Sequence, residues 1–135
     1  MKKRYLVSGL LLVTLASLLV SLLLTSTTEK SPEKIKVNIT IDFGSSEKNK
    51  IIEVQNETTA FEALNSTAKV EYKEYAGMGK IITSIDNVGQ NTTNSWMYFV
   101  DDKLAPVSVD NYIITKDTSI TFRYLSNEEA FKYFS

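Results

Sequence analysis

Residues 35–43 read IKVNITIDF, and this stretch decides the fold. Apolar side chains at the odd positions alternate with polar side chains at the even positions. Because successive side chains of a strand point to opposite faces of a sheet, the pattern predicts a half-buried strand. The polar positions, including Asn38, are expected to face water.

The residues that follow predict a hairpin and then one short helix. Residues 44–50 are predicted to be a turn, and Ile51–Val54 a second strand. Thr59 and Glu62 have the spacing of a capping box, in which each side chain satisfies a free backbone N–H group at the start of a helix. The helix is expected to bury a stripe of Phe61, Leu64 and Ala68. Because a helix this short is not stable alone, we expect it to pack on a sheet.

The second half reads as several short strands separated by turns. Predicted strands and edge segments cover residues 70–75, 80–85, 96–100, 104–109, 112–114 and 119–125, with a loop over residues 86–94, a turn over residues 101–103 and a last helical turn in the tail. This order predicts an α+β fold with one helix across a mostly antiparallel sheet.

The first 27 residues form a separate leader. Lys2, Lys3 and Arg4 precede an uncharged, mostly apolar run, Leu6 to Leu24, which would measure about 28 Å as a helix, close to the thickness of a bilayer core. Its length and the lack of an Ala-x-Ala site favour an uncleaved transmembrane anchor, and a cleaved signal helix stays open. Either alternative places the remainder outside, on a single-pass membrane protein or secreted.

The remainder divides into a tether over residues 28–34, a folded domain over residues 35–125 and a tail over residues 126–135. Four N-x-[ST] sequons, at Asn38, Asn56, Asn65 and Asn91, are candidate glycosylation sites of an exported domain. A polar surface rich in Asn and Thr is the alternative explanation of these sequons.

Composition excludes several classes of function. The chain has no cysteine and no histidine, so thiolate, Ser-His and Cys/His metal sites are ruled out. Outside the leader, Asp and Glu outnumber Lys and Arg, which disfavours nucleic-acid binding. No carboxylate pair stands out as catalytic, and we expect a protein that is not an enzyme and holds no metal or cofactor.

Two short motifs carry no function. Gly77, Gly79 and Lys80 suggest a phosphate loop, but the earlier glycine of that motif is missing, so these glycines predict a tight backbone between strands. Asp101 and Asp102 suggest half of a calcium site without further ligands, and a solvated turn explains them better.

The strand over residues 96–100 carries aromatic residues on both faces. Trp96 and Tyr98 share one face and Met97 and Phe99 the other. One pair must cover the core, and the other is left for solvent, the tail or a ligand.

Four segments resemble the C-terminal domain of transcobalamin and intrinsic factor. They are GKIITSIDNV (79–88), SWMYFV (95–100), DNY (110–112) and DTSITF (117–122), and the resemblance extends over residues 35–124. The sequence departs from it at Asp101 and Asp102, where the family has Asn-Gly, and at Thr118, where it has Gly. The resemblance implies a β-grasp-like fold, one helix cradled by a sheet.

The resemblance also implies a ligand site. In the carriers this domain closes over one face of cobalamin through apolar contacts, which here fall on Ile82, Tyr98, and Leu104 or Ala105, supported by Trp96. The large helical barrel that completes the carriers is missing from this sequence. We therefore expect a module that captures a corrinoid, another soluble ligand or a ligand-carrying partner such as a helical barrel. The alternative is a cell-surface protein-interaction or structural module without a small ligand.

Overall fold

The fold is built on two long neighbouring strands that run parallel. The structure, a computed structural model, describes residues 31–135. Within them lie ten strands and two helices, in the order β1 (Lys34–Asp42), β2 (Glu47–Gln55), β3 (Thr58–Thr59), α1 (Ala60–Asn65), β4 (Val70–Tyr75), β5 (Gly79–Ile85), β6 (Val88–Gly89), β7 (Asn94–Val100), β8 (Lys103–Leu104), β9 (Ile113–Ile114), β10 (Thr118–Ser126) and α2 (Asn127–Phe131).

The strands form three sheets. The largest has the order β2-β1-β10-β7-β8, and in it β1 and β10 are parallel while every other pair is antiparallel. Strands β4, β5 and β6 form a second antiparallel sheet, and β3 pairs with β9. The α+β prediction is confirmed, and the pairing is mostly antiparallel as predicted. The predicted single sheet is corrected to one mixed sheet and two small antiparallel sheets, and the helical turn predicted in the tail is the second short helix, α2.

The alternating stretch that opens the fold is a strand at the centre of the core. Ile35, Val37, Ile39 and Ile41 are buried as predicted, and Lys36 between them is exposed. Asn38, which was expected to face water, is half-buried instead. The parallel register places Ile39 opposite Ile120, so both strands present their apolar side chains to the same core. That core is completed by Ala60, Ala63 and Leu64 of α1 and by Ile82 and Ile85 of β5.

The helix α1 begins as its sequence predicts, and of the predicted stripe Leu64 is buried while Phe61 and Ala68 are partly buried against the core. Both halves of the capping box between Thr59 and Glu62 are present. The buried residues are Ala60, Ala63 and Leu64, whereas Phe61 is only half-buried and meets the ring of Tyr72 edge-on, with ring centroids 5.0 Å apart. The short helix lies close to the sheet, so small alanines face the core and the bulky ring lies at its margin.

Two local predictions are wrong. Residues 47–50 are not a turn: β2 already begins at Glu47, with Lys48 opposite Ile41. The charged residues are tolerated there because β2 is an edge strand, and charges on such an edge discourage pairing with other chains. The predicted loop over residues 86–94 also contains β6, which pairs with the end of β5.

The second face of the large sheet is covered by the C-terminal tail around Phe99. Phe99 is fully buried although it points away from the core side of β7, and its ring meets that of Tyr133 at 4.9 Å. The guanidinium carbon of Arg123 lies 4.6 Å from the centroid of the Phe99 ring. The open question about the faces of β7 is thus answered: Trp96 and Tyr98 lie on the core side, and Phe99 lies under the tail.

The leader and the first residues of the tether lie outside the described residues. Residues Pro32–Ser135 form one compact unit. Within residues 31–135, no helix is long and apolar enough to cross a membrane.

Candidate functional site

An open groove of about 610 Å³ lies where the β4–β5 hairpin, strand β7 and the segment of residues 105–111 meet. Its lining residues come from these three stretches and from the tail: Gly77, Met78, Lys80, Ile81, Trp96, Tyr98, Ala105, Pro106, Val107, Ser108, Val109, Asn111 and Phe134.

The groove is mainly apolar, and part of its apolar lining is open to water. Met78 is 62% exposed, Val107 43% and Phe134 72%. Exposed apolar side chains grouped around a concavity are typical of a surface that binds something. The groove is therefore suited to a ligand with a large apolar surface.

Tyr98 forms part of one wall. Its ring stacks on that of Phe122, with centroids 5.7 Å apart, and its hydroxyl donates a hydrogen bond to the carbonyl oxygen of Val107. Burial, together with the nearby Tyr112 and Asp110, raises the pKa of Tyr98 above its ordinary value. The hydroxyl is thus a fixed donor that holds Val107, and the ring is the part of Tyr98 that a ligand would meet.

Trp96 contributes a rigid wall. It is 8% exposed, and its indole Nε1 donates to the carbonyl oxygen of Val88 at 2.8 Å. Its ring meets Phe43 edge-on with centroids 5.6 Å apart. Because it is the one tryptophan in the sequence, its fluorescence reports on this wall alone.

Asp110 ties two walls of the groove together. Its Oδ1 accepts hydrogen bonds from the backbone N–H of Lys80 at 2.8 Å and from the Ser108 hydroxyl at 2.9 Å. The Lys80 N–H, and then the Ser108 hydroxyl, lower the pKa of this carboxyl. The ionised carboxylate therefore joins strand β5 to the segment of residues 105–111.

Gly79 allows the two walls to approach. A Cβ atom at this position would lie 2.3 Å from Ser108 Oγ and 2.6 Å from Asp110 Oδ1, and the residue has φ +98°. Only glycine combines that backbone angle with that close contact. The tight backbone predicted for these glycines is present, and its purpose at Gly79 is this approach.

Lys80 is the one charged residue among those that line the groove in the described part of the chain. Its Nζ lies 4.4 Å from the centroid of the Phe61 ring and 4.8 Å from that of Tyr72. Both rings attract the ammonium group. The ammonium group is thus held by two rings that do not themselves line the groove.

The structure brings three of the five predicted ligand contacts to the groove, namely Trp96, Tyr98 and Ala105. Ile82 is 6% exposed and belongs to the core, while its neighbour Ile81 lines the groove. Leu104 pairs directly with Phe99, and cross-strand partners share a face, so Leu104 lies on the side opposite Tyr98.

Several groove residues were not singled out from the sequence. Met78 and Phe134 lie in polar or terminal stretches without a periodic pattern, and no local signal marks them. Asp110 had a signal: it opens the DNY segment that carries the resemblance. Its place in that segment is the sequence signal for its structural role.

The four sequons differ in how the folded chain presents them. Asn56 and Asn65 are exposed. Asn38 is half-buried in β1, and its Oδ1 is a buried atom without a hydrogen-bond partner in the described residues. Asn91 Oδ1 accepts from the backbone N–H groups of Thr93 and Asn94, and its Nδ2 donates to the Tyr124 hydroxyl at 3.2 Å.

The described residues thus form an α+β fold with an open, mainly apolar groove. Residues 57–126, slightly more than half of the chain, match the family described as a domain of unknown function (DUF4430), and the chain belongs to that family. No curated protein matches the sequence.

Two solved structures have a similar fold. Haptocorrin in complex with Cbi (cobinamide) matches with a TM-score of 0.63 and 15% identity over 72% of this chain and 26% of its own. A candidate metal binding protein of Ruminococcus gnavus matches with a TM-score of 0.54 and 15% identity over 69% of this chain and 98% of its own. This chain thus spans about a quarter of the haptocorrin chain.

At this identity the two likenesses establish the fold alone. Haptocorrin belongs to the transcobalamin family, so the resemblance of the sequence to that family is supported at the level of a distant relationship in fold. Within residues 31–135, no group of three or more His, Cys, Asp or Glu side chains is placed to hold a metal ion.

Proposed function

We propose that this protein is an outward-facing binding module, not an enzyme, that captures a soluble ligand with a large apolar surface in the groove. A corrinoid such as cobinamide or cobalamin is the named candidate. The observation that carries the proposal is the open groove of about 610 Å³ with exposed apolar walls. The fold shared with a haptocorrin that was solved in complex with Cbi supports the choice of candidate.

The topology supports the more specific description of this α+β fold as β-grasp-like. The first and last long strands are parallel neighbours at the centre of the sheet, and Leu64 of α1 packs into the same core. This is the arrangement that the resemblance implies for a domain that covers one face of a corrinoid. The lone domain would leave the other face open, so we expect weak binding unless a partner completes the site.

The chemistry of the groove supports binding in preference to catalysis. The Tyr98 hydroxyl is engaged with the Val107 carbonyl oxygen, and the Asp110 carboxylate is engaged with Lys80 and Ser108. Groups that hold the walls together in this way are not free to transfer protons to a ligand. The outward location rests on the predicted leader and on the exposed sequons at Asn56 and Asn65.

The proposal is tested by titrating the full-length chain, in a mild detergent, with cobinamide and with cyanocobalamin while following Trp96 fluorescence. We expect saturable quenching after correction for ligand absorbance. Met78→Ala should raise Kd by up to about tenfold, because the variant loses most of one apolar contact.

Ile51→Ala is the matched control for that variant. Ile51 is 69% exposed on β2 and does not line the groove, so its removal should leave Kd within about twofold, the scatter expected of a surface substitution. Absence of saturable quenching at millimolar corrinoid would refute the corrinoid proposal. An equal effect of the two substitutions would refute the groove as the binding site.

A protein partner is the second candidate, and one observation favours it. Phe131 is 73% exposed and lies off the groove, so the apolar surface of the tail extends beyond the proposed ligand site. If titration with a corrinoid causes no saturable quenching, a cell-surface interaction module becomes the better explanation of this protein.

A further inference from the structure

The groove includes a side chain from outside the part of the chain that matches the family. The match ends at residue 126, and Phe134 follows eight residues later in the C-terminal tail. Nevertheless Phe134 lines the groove, together with Met78 and Val107. The tail therefore adds an aromatic surface to a site that is otherwise built by the matched residues.

The beginning of the tail is held in place by specific hydrogen bonds. Ser126 and Glu129 form a capping box at the start of α2. The backbone N–H of Asn127 donates to the Thr93 carbonyl oxygen at 2.8 Å, and its Nδ2 donates to the Thr92 carbonyl oxygen at 2.9 Å. These bonds fix the tail to the loop that precedes β7.

The end of the tail is held by aromatic packing. The Tyr133 ring covers the fully buried Phe99, and the Arg123 guanidinium lies over the same phenylalanine. The backbone N–H of Phe134 donates to the carbonyl oxygen of Phe131 at 3.1 Å. These contacts hold the end of the tail against β7, and Phe134 lies beside the groove with most of its side chain exposed.

The two phenylalanines of the tail differ in one respect. Phe131 is 73% exposed and Phe134 72%, but only Phe134 lines the groove. An aromatic ring that is left open to water beside an apolar groove gains by being covered. We propose that Phe134 is an apolar contact for the ligand, supplied by the tail, and that Tyr133 on Phe99 positions it.

This inference rests on the proposed function, and it adds a specificity-determining element to the same site. A ligand that reached from Trp96 and Tyr98 to Phe134 would meet aromatic surface from both β7 and the tail. The class of ligand that fits is a large one with apolar surface on more than one side, such as a corrin ring with its substituents.

The experiment compares Phe134→Ala with Phe131→Ala in the full-length chain, with cobinamide and cyanocobalamin as the probes and Trp96 fluorescence as the readout. We expect Phe134→Ala to raise Kd about tenfold, whereas Phe131→Ala, which removes an equally exposed ring of the same tail, should leave it unchanged. Both side chains are exposed, so neither change should unfold the domain.

A second readout uses the lack of cysteine in this chain. Phe134→Cys and Phe131→Cys each introduce a single thiol, which a charged, water-soluble methanethiosulfonate labels. At a probe concentration about ten times Kd, labelling at position 134 should slow about tenfold, because only about a tenth of the sites stay empty, and labelling at position 131 should not change. A loss of affinity confined to the Phe134→Cys variant would also support the contact.

The outcomes separate the two proposals. If the unsubstituted chain binds a probe and both pairs of variants behave alike, the contact by Phe134 is wrong and the proposed function stands. If the unsubstituted chain binds neither probe, corrinoid capture is wrong, and the assignment of Phe134 as a contact for that ligand is overturned with it.

Discussion

At the residue scale, two glycines of one hairpin allow the cost of backbone strain to be compared with the cost of crowding a neighbouring segment. Gly77 has φ +79° and open space within 4 Å of the place that a Cβ atom would take, whereas Gly79 has φ +98° and would place a Cβ against Ser108 and Asp110. Gly77→Ala should therefore cost about 1 kcal/mol, the strain of an alanine in the left-handed region. Gly79→Ala should cost about 2 kcal/mol or more, because the walls of the groove must also separate.

The comparison is measured by urea unfolding of the full-length chain with Trp96 fluorescence as the probe. Since the Asp110 bond to the Lys80 N–H joins the walls, Gly79→Ala should also weaken binding of any groove ligand, and Gly77→Ala should not. Equal losses of stability in the two variants would show that the walls yield easily and that the close approach is unimportant.

At the scale of elements, the two helices begin with the same kind of cap but differ in how many residues they bury. Thr59 with Glu62, and Ser126 with Glu129, both form complete capping boxes, but α1 buries three residues and α2 buries none. Thr59→Ala should lower the free energy of unfolding by about 1 kcal/mol, because α1 is part of the core. Ser126→Ala should change it by less than about 0.5 kcal/mol, because the tail can open locally.

Hydrogen exchange distinguishes the two effects. In Ser126→Ala the amides of Lys132, Tyr133 and Phe134 should exchange faster while those of β1 and β10 keep their protection. Equal global destabilisation by the two substitutions would mean that the tail unfolds together with the core, through the Tyr133 contact on Phe99.

The elements that could be predicted from the sequence are those specified by local signals. Alternation at residues 35–43 predicted β1, and the Thr59–Glu62 spacing predicted the start of α1, because both patterns act within one element. The strand at residues 47–50 was missed, because only its position at the edge of the sheet makes those charges acceptable.

The candidate site was likewise predictable only in part. Trp96, Tyr98 and Ala105 were available from the resemblance and do line the groove. Which of Ile81 and Ile82 faces it depends on the register of β5, and a one-residue difference reverses the face of a strand. The irregularity in the β4–β5 pairing at Glu71 and Tyr72 cannot be seen in the sequence. Phe134 reaches the groove only through packing of the tail on Phe99.

At the scale of the whole molecule, four carboxylates accept hydrogen bonds from backbone N–H groups, and two of them, Asp86 and Asp110, connect separate parts of the fold. Glu62 and Glu129 cap the helices, Asp110 joins the walls of the groove, and Asp86 accepts from the Lys69 backbone N–H at 2.9 Å and from Lys48 at 3.2 Å. In each case the first cause of a lowered pKa is a hydrogen bond from a backbone N–H group.

The sign of the pH dependence follows from those lowered pKa values. A carboxyl whose pKa is lower in the folded than in the unfolded chain contributes stability that is fully present above its ordinary pKa of about 4 and is lost as the pH falls through the lowered value. The urea midpoint should thus be flat between about pH 7 and pH 5.5 and should fall below about pH 4. Asp110→Asn should lower the midpoint at pH 7 and make the acid loss smaller, because the variant has already lost the negative charge that strengthens the bonds from Lys80 and Ser108 and that protonation removes. Because the same bonds hold the groove, ligand affinity should fall in the same acidic range before the domain unfolds, and an affinity that stayed constant down to the unfolding transition would separate the groove from Asp110.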